Sequence, residues 1–159
     1  MSVIRTATTD DIPQLRILFQ EYGAWVASIG GDLCLVSFAA ETASLPGRYS
    51  RLLIAGEGGL PVGCAALRPL EGNACELKRL YVRPAARGTG LGRRLLEEAL
   101  TAARGDGYGA LRLDTLPQMR DAIRLYRALG FREIPPYGNN PAEAICFERD
   151  LGSNTAVVS

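Results

Sequence analysis

Residues 80–93 read Leu80-Tyr81-Val82-Arg83-Pro84-Ala85-Ala86-Arg87-Gly88-Thr89-Gly90-Leu91-Gly92-Arg93: a strand, a short turn, then glycines that open a helix. Glycines at such a junction let backbone N–H groups approach a bulky anion without Cβ interference, and the helix N-terminus adds partial positive charge. A diphosphate suits that cradle, with Arg87 and Arg93 adding charge-assisted hydrogen bonds. Three phosphate motifs compete for the stretch. A Walker A loop needs a lysine after its glycines, and none follows. A Rossmann fingerprint, G-x-G-x-x-G, fails from Gly88, where its last place holds Arg93, and from Gly90, where it holds Leu95. The pattern [R/Q]-x-x-G-x-[G/A] fits on Arg87, Gly90 and Gly92.

Outward from these glycines the chain alternates. The best-defined helix runs from Gly90 to Ala103, with Leu91, Leu95, Leu96, Ala99 and Leu100 on one stripe. A strand from Ala110 to Thr115 follows, then a helix after Pro117 that stops at Gly130. Phe131 to Ile134 and Ala144 to Leu151 read as closing strands around a Pro135–Pro141 loop. On the N-terminal side lie the strand Cys75 to Val82 and a hairpin of Arg51–Ala55 with Val62–Leu67. A first strand, Val3 to Ala7, leads through Thr8-Thr9-Asp10-Asp11, an N-cap, into a helix from Ile12 to about Gly30. Asp32 to Ser50 is irregular, with a short helix around Ser37–Ala43. Hairpins first and strand–helix units later predict an α/β domain with a mixed central sheet and helices on both faces. We expect one domain over residues 1–151 and a loose tail over 152–159.

Composition narrows the chemistry. The hydrophobic fraction of 47% and charged fraction of 22% are those of a globular protein. No apolar run is long enough for a transmembrane helix, and the N-terminus lacks the order of a secretory signal, so a cytoplasmic protein with no membrane partner is expected. No histidine exists, which excludes imidazole-activated nucleophiles and leaves Cys34, Cys64, Cys75 and Cys146 without a partner for a zinc site. No metal is expected, and the cysteines read as reduced, mostly buried apolar residues. Net charge is +1, yet Lys78, Arg79, Arg83, Arg87, Arg93 and Arg94 form a run with no acid between them. A nucleic-acid partner would need a broader basic surface than this near-neutral chain offers, so none is expected.

The stretch Lys78–Arg93 and a second one, Ala122-Ile123-Arg124-Leu125-Tyr126-Arg127-Ala128-Leu129-Gly130-Phe131, resemble the two signatures of the GNAT (GCN5-related) N-acetyltransferases. The likeness runs from about Arg51 to Leu151. It implies a single-domain GNAT-type fold and acetyl-CoA as cosubstrate. It further implies that Leu80, Tyr81 and Val82 pair by their backbone with the pantetheine arm. Arg87, Gly88, Thr89, Gly90, Leu91, Gly92 and Arg93 would hold the pyrophosphate, and the Val82 amide would polarise the thioester carbonyl. One departure stands out: many relatives carry Asn where this chain has Met119.

Amide formation needs a neutral amine, a polarised carbonyl and a protonated thiolate leaving group. Tyr126 is the expected acid. On the helix it is rotated about 100° from Leu125, which the pattern puts on a core stripe with Ala122 and Leu129, so its hydroxyl should leave the core. Glu76 is the expected base, directly or through water, against a purely structural pairing with Lys78 or an arginine. Strand alternation puts Glu76, Lys78, Leu80 and Val82 on one face unless a bulge shifts the phase. Cys75 reads as a core residue rather than an acyl carrier. Arg79, Arg83 and Arg94 read as a solvated face or as partners of Glu97 and Glu98. Tyr22, Trp25 and Asp32 are second-rank acceptor-pocket candidates, with Tyr137, Asn139 and Asn140 bordering from the other side. The sequence thus predicts direct acetyl transfer, in a ternary complex, to an amine acceptor on a small molecule or peptide, by a monomer or homodimer. The alternative is a degenerate domain that senses acyl-CoA and regulates a partner.

Overall fold

The computed structural model describes residues 2–31 and 35–152. In order these form β1 (Val3–Thr6), α1 (Ile12–Ser28), α2 (Leu35–Ala43), β2 (Arg51–Glu57), β3 (Leu60–Leu70) and β4 (Ala74–Val82). Then come α3 (Leu91–Gly105), β5 (Ala110–Thr115), α4 (Arg120–Ala128), β6 (Arg132–Ile134) and β7 (Ile145–Asp150). Asp32 and Cys34, and the tail beyond Gly152, lie outside the described residues.

The strands make one seven-stranded sheet in the order β1-β2-β3-β4-β5-β7-β6. Every pairing is antiparallel except β4 with β5. A parallel neighbour needs a crossover, and α3 supplies it, laying Leu91, Leu95, Leu96 and Ala99 on one face. There they meet Leu53, Leu67, Leu77, Leu111 and Phe147. On the other face α1 buries Leu15, Leu18 and Phe19 against Leu52, Ile54, Cys64 and Tyr81. The two faces together use the apolar stripes of both helices, and the mixed sheet with helices on both sides is the architecture that the sequence order predicts. Ahead of α1, the Asp11 carboxylate accepts from the Thr8 amide at 2.7 Å and binds Arg5 at 2.7 Å, so an acid anchors the helix start.

Two features of β4 decide where a site can form. It pairs with β5 only over Ala74 to Glu76, opposite Ala110 to Arg112, after which the strands diverge and a wedge opens between them. Against β3, Lys78 lies opposite Ala66 and Tyr81 opposite Cys64, so Arg79 and Leu80 together face Ala65 in a bulge, with Arg79 at φ 58°. That extra residue reverses the phase of the strand. Plain alternation through Glu76, Lys78, Leu80 and Val82 is therefore corrected: Cys75, Leu77, Leu80 and Val82 pack with α3, while Tyr81 joins the α1 side. Left-handed backbone at a non-glycine residue costs about 1–3 kcal/mol. Arg79 is held there by Glu41 at 2.6 Å and by stacking 4.8 Å from the Phe38 ring centre.

Candidate active site

The glycine stretch forms the expected turn and helix start. Gly90 is the N-cap of α3 with φ 83°, and Gly88 has φ 78°. A Cβ on either would meet no neighbour, because both face open space. The first amides of α3 have no partner within the helix and are free for an anion. In front of them lies a cleft of about 570 Å³ lined by Trp25, Val82, Arg87, Gln118, Arg120 and Leu125, among others. That volume is in the range of cavities that enclose a nucleotide-sized ligand. Arg87 reaches back across the cleft: its Nε donates to the Val82 carbonyl at 2.9 Å, and its guanidinium lies 5.3 Å from the Trp25 ring centre.

Trp25, Met119 and Ala122 line this cleft and also a narrow slot of about 70 Å³ in the wedge between β4 and β5. Lys78, Leu80, Asp114 and Tyr126 are on the slot's wall. Tyr126 is the buried residue of α4, its ring edge-on to Phe131 at 5.7 Å and tilted against Phe147 at 6.0 Å. The expected core stripe of Ala122, Leu125 and Leu129 is only partly buried. The helix thus turns Tyr126, not Leu125, inward, and the tyrosine meets the wedge rather than leaving the protein. Burial, reinforced by the negative charge of Asp114, raises its phenol above the ordinary tyrosine range, so it stays protonated at neutral pH. Met119 lines both cavities, and its thioether accepts from Thr115 Oγ1 at 3.2 Å.

Glu76 is 1% exposed. Its Oε1 accepts from Arg68 Nε at 2.6 Å and lies 3.7 Å from Lys78, and its Oε2 accepts from the Tyr137 hydroxyl. Tyr137 comes from the loop before β7, as does Asn140, whose amide donates to Asp114 Oδ2 at 2.8 Å. That loop therefore closes the wedge from the far side. Asp114 was not singled out by sequence. Its signal was its place at the carboxyl end of β5, out of phase with the buried Leu111 and Leu113, where open α/β sheets collect ligands.

The basic run divides in the structure. Arg79 pairs with Glu41 and Arg83 with Glu21 at 2.7 Å, while Arg94 donates to the Ser2 carbonyl at 2.8 Å. Glu97 and Glu98 partner none of these three; Glu97 faces Arg93 at 3.8 Å. Sequence distance hid Glu21 and Glu41, which only the fold brings to β4. Burial pushes the thiols of Cys64 and Cys75 up to about 12, and Cys75 packs in the α3 core, so neither offers a thiolate at neutral pH. Tyr22, Trp25 and Tyr81 form a triangle of rings with centres 6.2 to 6.4 Å apart, beside both cavities. Among the described residues no helix is long and apolar enough to cross a membrane.

Residues 13–131 match the sequence profile of the Acetyltransferase (GNAT) family. An uncharacterised N-acetyltransferase of Schizosaccharomyces pombe is 34% identical over 155 residues, covering 94% of this chain and 93% of that protein. An acetyltransferase of the GNAT family from Staphylococcus aureus superposes with a TM-score of 0.79 at 18% identity, over 96% of this chain and all of the other (100%). The PaiA N-acetyltransferase of Thermoplasma acidophilum, solved in complex with coenzyme A, gives 0.73 at 19% identity, over 94% and 99%.

Proposed function

This chain belongs to the GNAT acetyltransferase family, and from that premise we propose that it moves an acetyl group from acetyl-CoA to a primary amine of a small molecule or peptide. The observation that carries the reading is that the wide cleft adjoins the narrow slot, the two sharing Trp25, Met119 and Ala122 in their walls. A diphosphate on the amides of Gly88 to Arg93 leaves the pantetheine arm to run along Leu80, Tyr81 and Val82, with the thioester beside Tyr126. Beyond Glu76 that strand edge is not paired with β5, and its Val82 carbonyl takes a side-chain hydrogen bond from Arg87 that a ligand can displace.

The acceptor enters as R–NH3+ and loses a proton to a carboxylate. Its lone pair attacks the thioester carbon, the C–S bond breaks, the thiolate takes the proton of Tyr126, and the second proton that the nitrogen sheds on becoming an amide returns through water to the phenolate. A thiolate of ordinary pKa about 8.5 is basic enough for that transfer as the bond breaks. For the base, Glu76 remains the candidate from sequence. A second carboxylate, Asp114, is favoured by one observation: it lines the slot, whereas Glu76 does not.

Acetyl-CoA at about 100 times its Kd should add roughly 2.7 kcal/mol, a rise in Tm of about 5–10 °C for a chain of this size. Thiol release from acetyl-CoA should then depend on an added amine. No thermal shift at millimolar CoA overturns the proposal; a shift without thiol release from any amine assigns the chain to acyl-CoA sensing instead.

A further inference from the structure

Resting on that acetyl transfer, we propose that the acceptor is a free amino acid or a similar small zwitterion, its ammonium held by Asp114 and its carboxylate by Lys78. Both side chains line the slot beside Tyr126, and each is 17% exposed. They are 3.6 Å apart, longer than the 2.7–2.9 Å of a direct charge-assisted hydrogen bond. The other carboxylate near Lys78 is Glu76 at 3.7 Å, and it is already engaged by Arg68 at 2.6 Å and by Tyr137. Arg79 also lines the slot, but Glu41 holds it at 2.6 Å. Lys78 and Asp114 are thus an ion pair in loose contact, next to the reacting centre, with donors and lone pairs left over.

Charge balance selects the ligand. Arg68 neutralises Glu76, and Lys78 neutralises Asp114, so these four groups carry no net charge before a substrate arrives. A simple alkylammonium would bring an uncompensated charge into a nearly buried place, which is costly. A zwitterion brings none, and it exchanges one loose pair for two direct ones. Amine and acid on a single carbon lie about as far apart as Lys78 Nζ and Asp114 Oδ1. The slot, at about 70 Å³, has room for that head group and little more, so the acceptor's own side chain must point out of it. In the reaction the ammonium passes one proton to the slot carboxylate, the N–C bond forms as the C–S bond breaks, Tyr126 protonates sulfur, and the second proton shed by the nitrogen restores the phenol by way of water. The products are an N-acetyl amino acid, CoA thiol and one proton returned to solvent, while the carboxylate on Lys78 stays in place throughout.

Thiol release from acetyl-CoA is compared for the free L-amino acids, their methyl esters and their decarboxylated amines. The best amino acid should exceed its own ester and amine at least tenfold in kcat/KM. In Lys78→Met that ratio should fall to within about threefold, and Lys78→Arg should restore part of it. Folding of each variant is checked by the CoA-induced rise in Tm. Esters or plain amines used as well as free acids overturn the inference, and so does a ratio that Lys78→Met leaves unchanged. Turnover of peptides or amines alone, with CoA binding intact, also overturns it while sparing the acetyltransferase reading. Loss of the CoA shift in the unaltered protein would sink that reading itself.

Discussion

The proposed phosphate cradle is one continuous stretch, Arg83 to Arg93, whose working groups are backbone amides, whereas the slot is made by side chains that α1, β4, β5, α4 and the turn before α4 bring together. The cradle is open and needs only the absence of Cβ atoms at Gly88 and Gly90. The slot is narrow, and the charges in its wall and behind it are held by others: Asp114 by Asn140 and Lys78 and Arg79 by Glu41 in the wall, Glu76 by Arg68 and Tyr137 behind it. A site built from backbone serves any ligand with the right anion. A site built from interlocked side chains discriminates, because every misplaced charge leaves a buried partner unpaired. The division suits an enzyme that shares its donor with a family and chooses its own acceptor.

The largest expected effect breaks the cradle. In Gly90→Val a branched side chain enters the open space in front of the α3 amides at a φ of 83°, which valine tolerates poorly. The CoA-induced rise in Tm should vanish, although the ligand-free protein still folds, since no neighbour is displaced. An undiminished shift would show that the anion does not lie on these amides.

Next in size is Tyr126→Phe, which keeps the ring packed between Phe131 and Phe147 and removes only the proton. With saturating acceptor, kcat should drop by about 10- to 1,000-fold, the lower part of the general-acid range, because a thiolate leaves fairly well unaided. Acetyl-CoA affinity should change by less than about 1.5 kcal/mol, the scale of one hydrogen bond. Full activity would end the assignment.

The turn and helix start at Gly88 and Gly90 were legible because their residues are neighbours in sequence and glycine spacing reflects backbone geometry directly. Strand order and the placing of helices on both faces were legible for a similar reason, since they follow from local periodicity and crossover rules. The slot was legible only in pieces. Tyr126 stood out through its signature, but the face of α4 that it occupies did not, since apolar spacing there fits two rotations and the packing of Phe131 and Phe147 decides between them. The bulge at Arg79 reverses the phase of β4, and nothing in the local sequence marks it; its stabilising partner Glu41 is 38 residues away. Asp114 escaped notice because a carboxylate at a strand end is common, and only the divergence of β4 from β5 gives it a cavity to face.

The two candidate bases, Asp114 on the slot wall and Glu76 outside it, separate by pH. If Asp114 is the base, Asp114→Asn should lower kcat/KM about tenfold or more on the acid limb and progressively less as pH rises, since the amine then deprotonates unaided. Glu76→Gln should instead leave Arg68 without its anion and lower Tm, with little change in the shape of the profile. The reverse pattern, a lost acid limb in Glu76→Gln alone, returns the base role to Glu76.

The smallest effect tests whether the cradle depends on any side chain at all. Arg87 is exposed, stacks 5.3 Å from the Trp25 ring centre and 5.8 Å from that of Tyr81, and donates to the Val82 carbonyl at 2.9 Å. A pyrophosphate offers it a charge-assisted hydrogen bond of about 1.5–3 kcal/mol, but taking it means leaving the ring stack, itself about 0.5–1 kcal/mol at an exposed site, and releasing the carbonyl. With both losses subtracted the net gain is about 0.5 kcal/mol at mid-range, so Arg87→Ala should weaken CoA by about two- to tenfold. Arg87→Lys keeps the charge and loses the planar stack, and should fall between the two. Because the group is exposed, the difference between wild type and Arg87→Ala should shrink between 0.1 M and 1 M salt, where the screening length drops from about 10 to about 3 Å. Titration of CoA by calorimetry at both salts measures this. A loss of a hundredfold or more, insensitive to salt, would mean that Arg87 rather than the α3 amides carries the phosphate, and the contrast between a backbone cradle and a side-chain slot would fall with it.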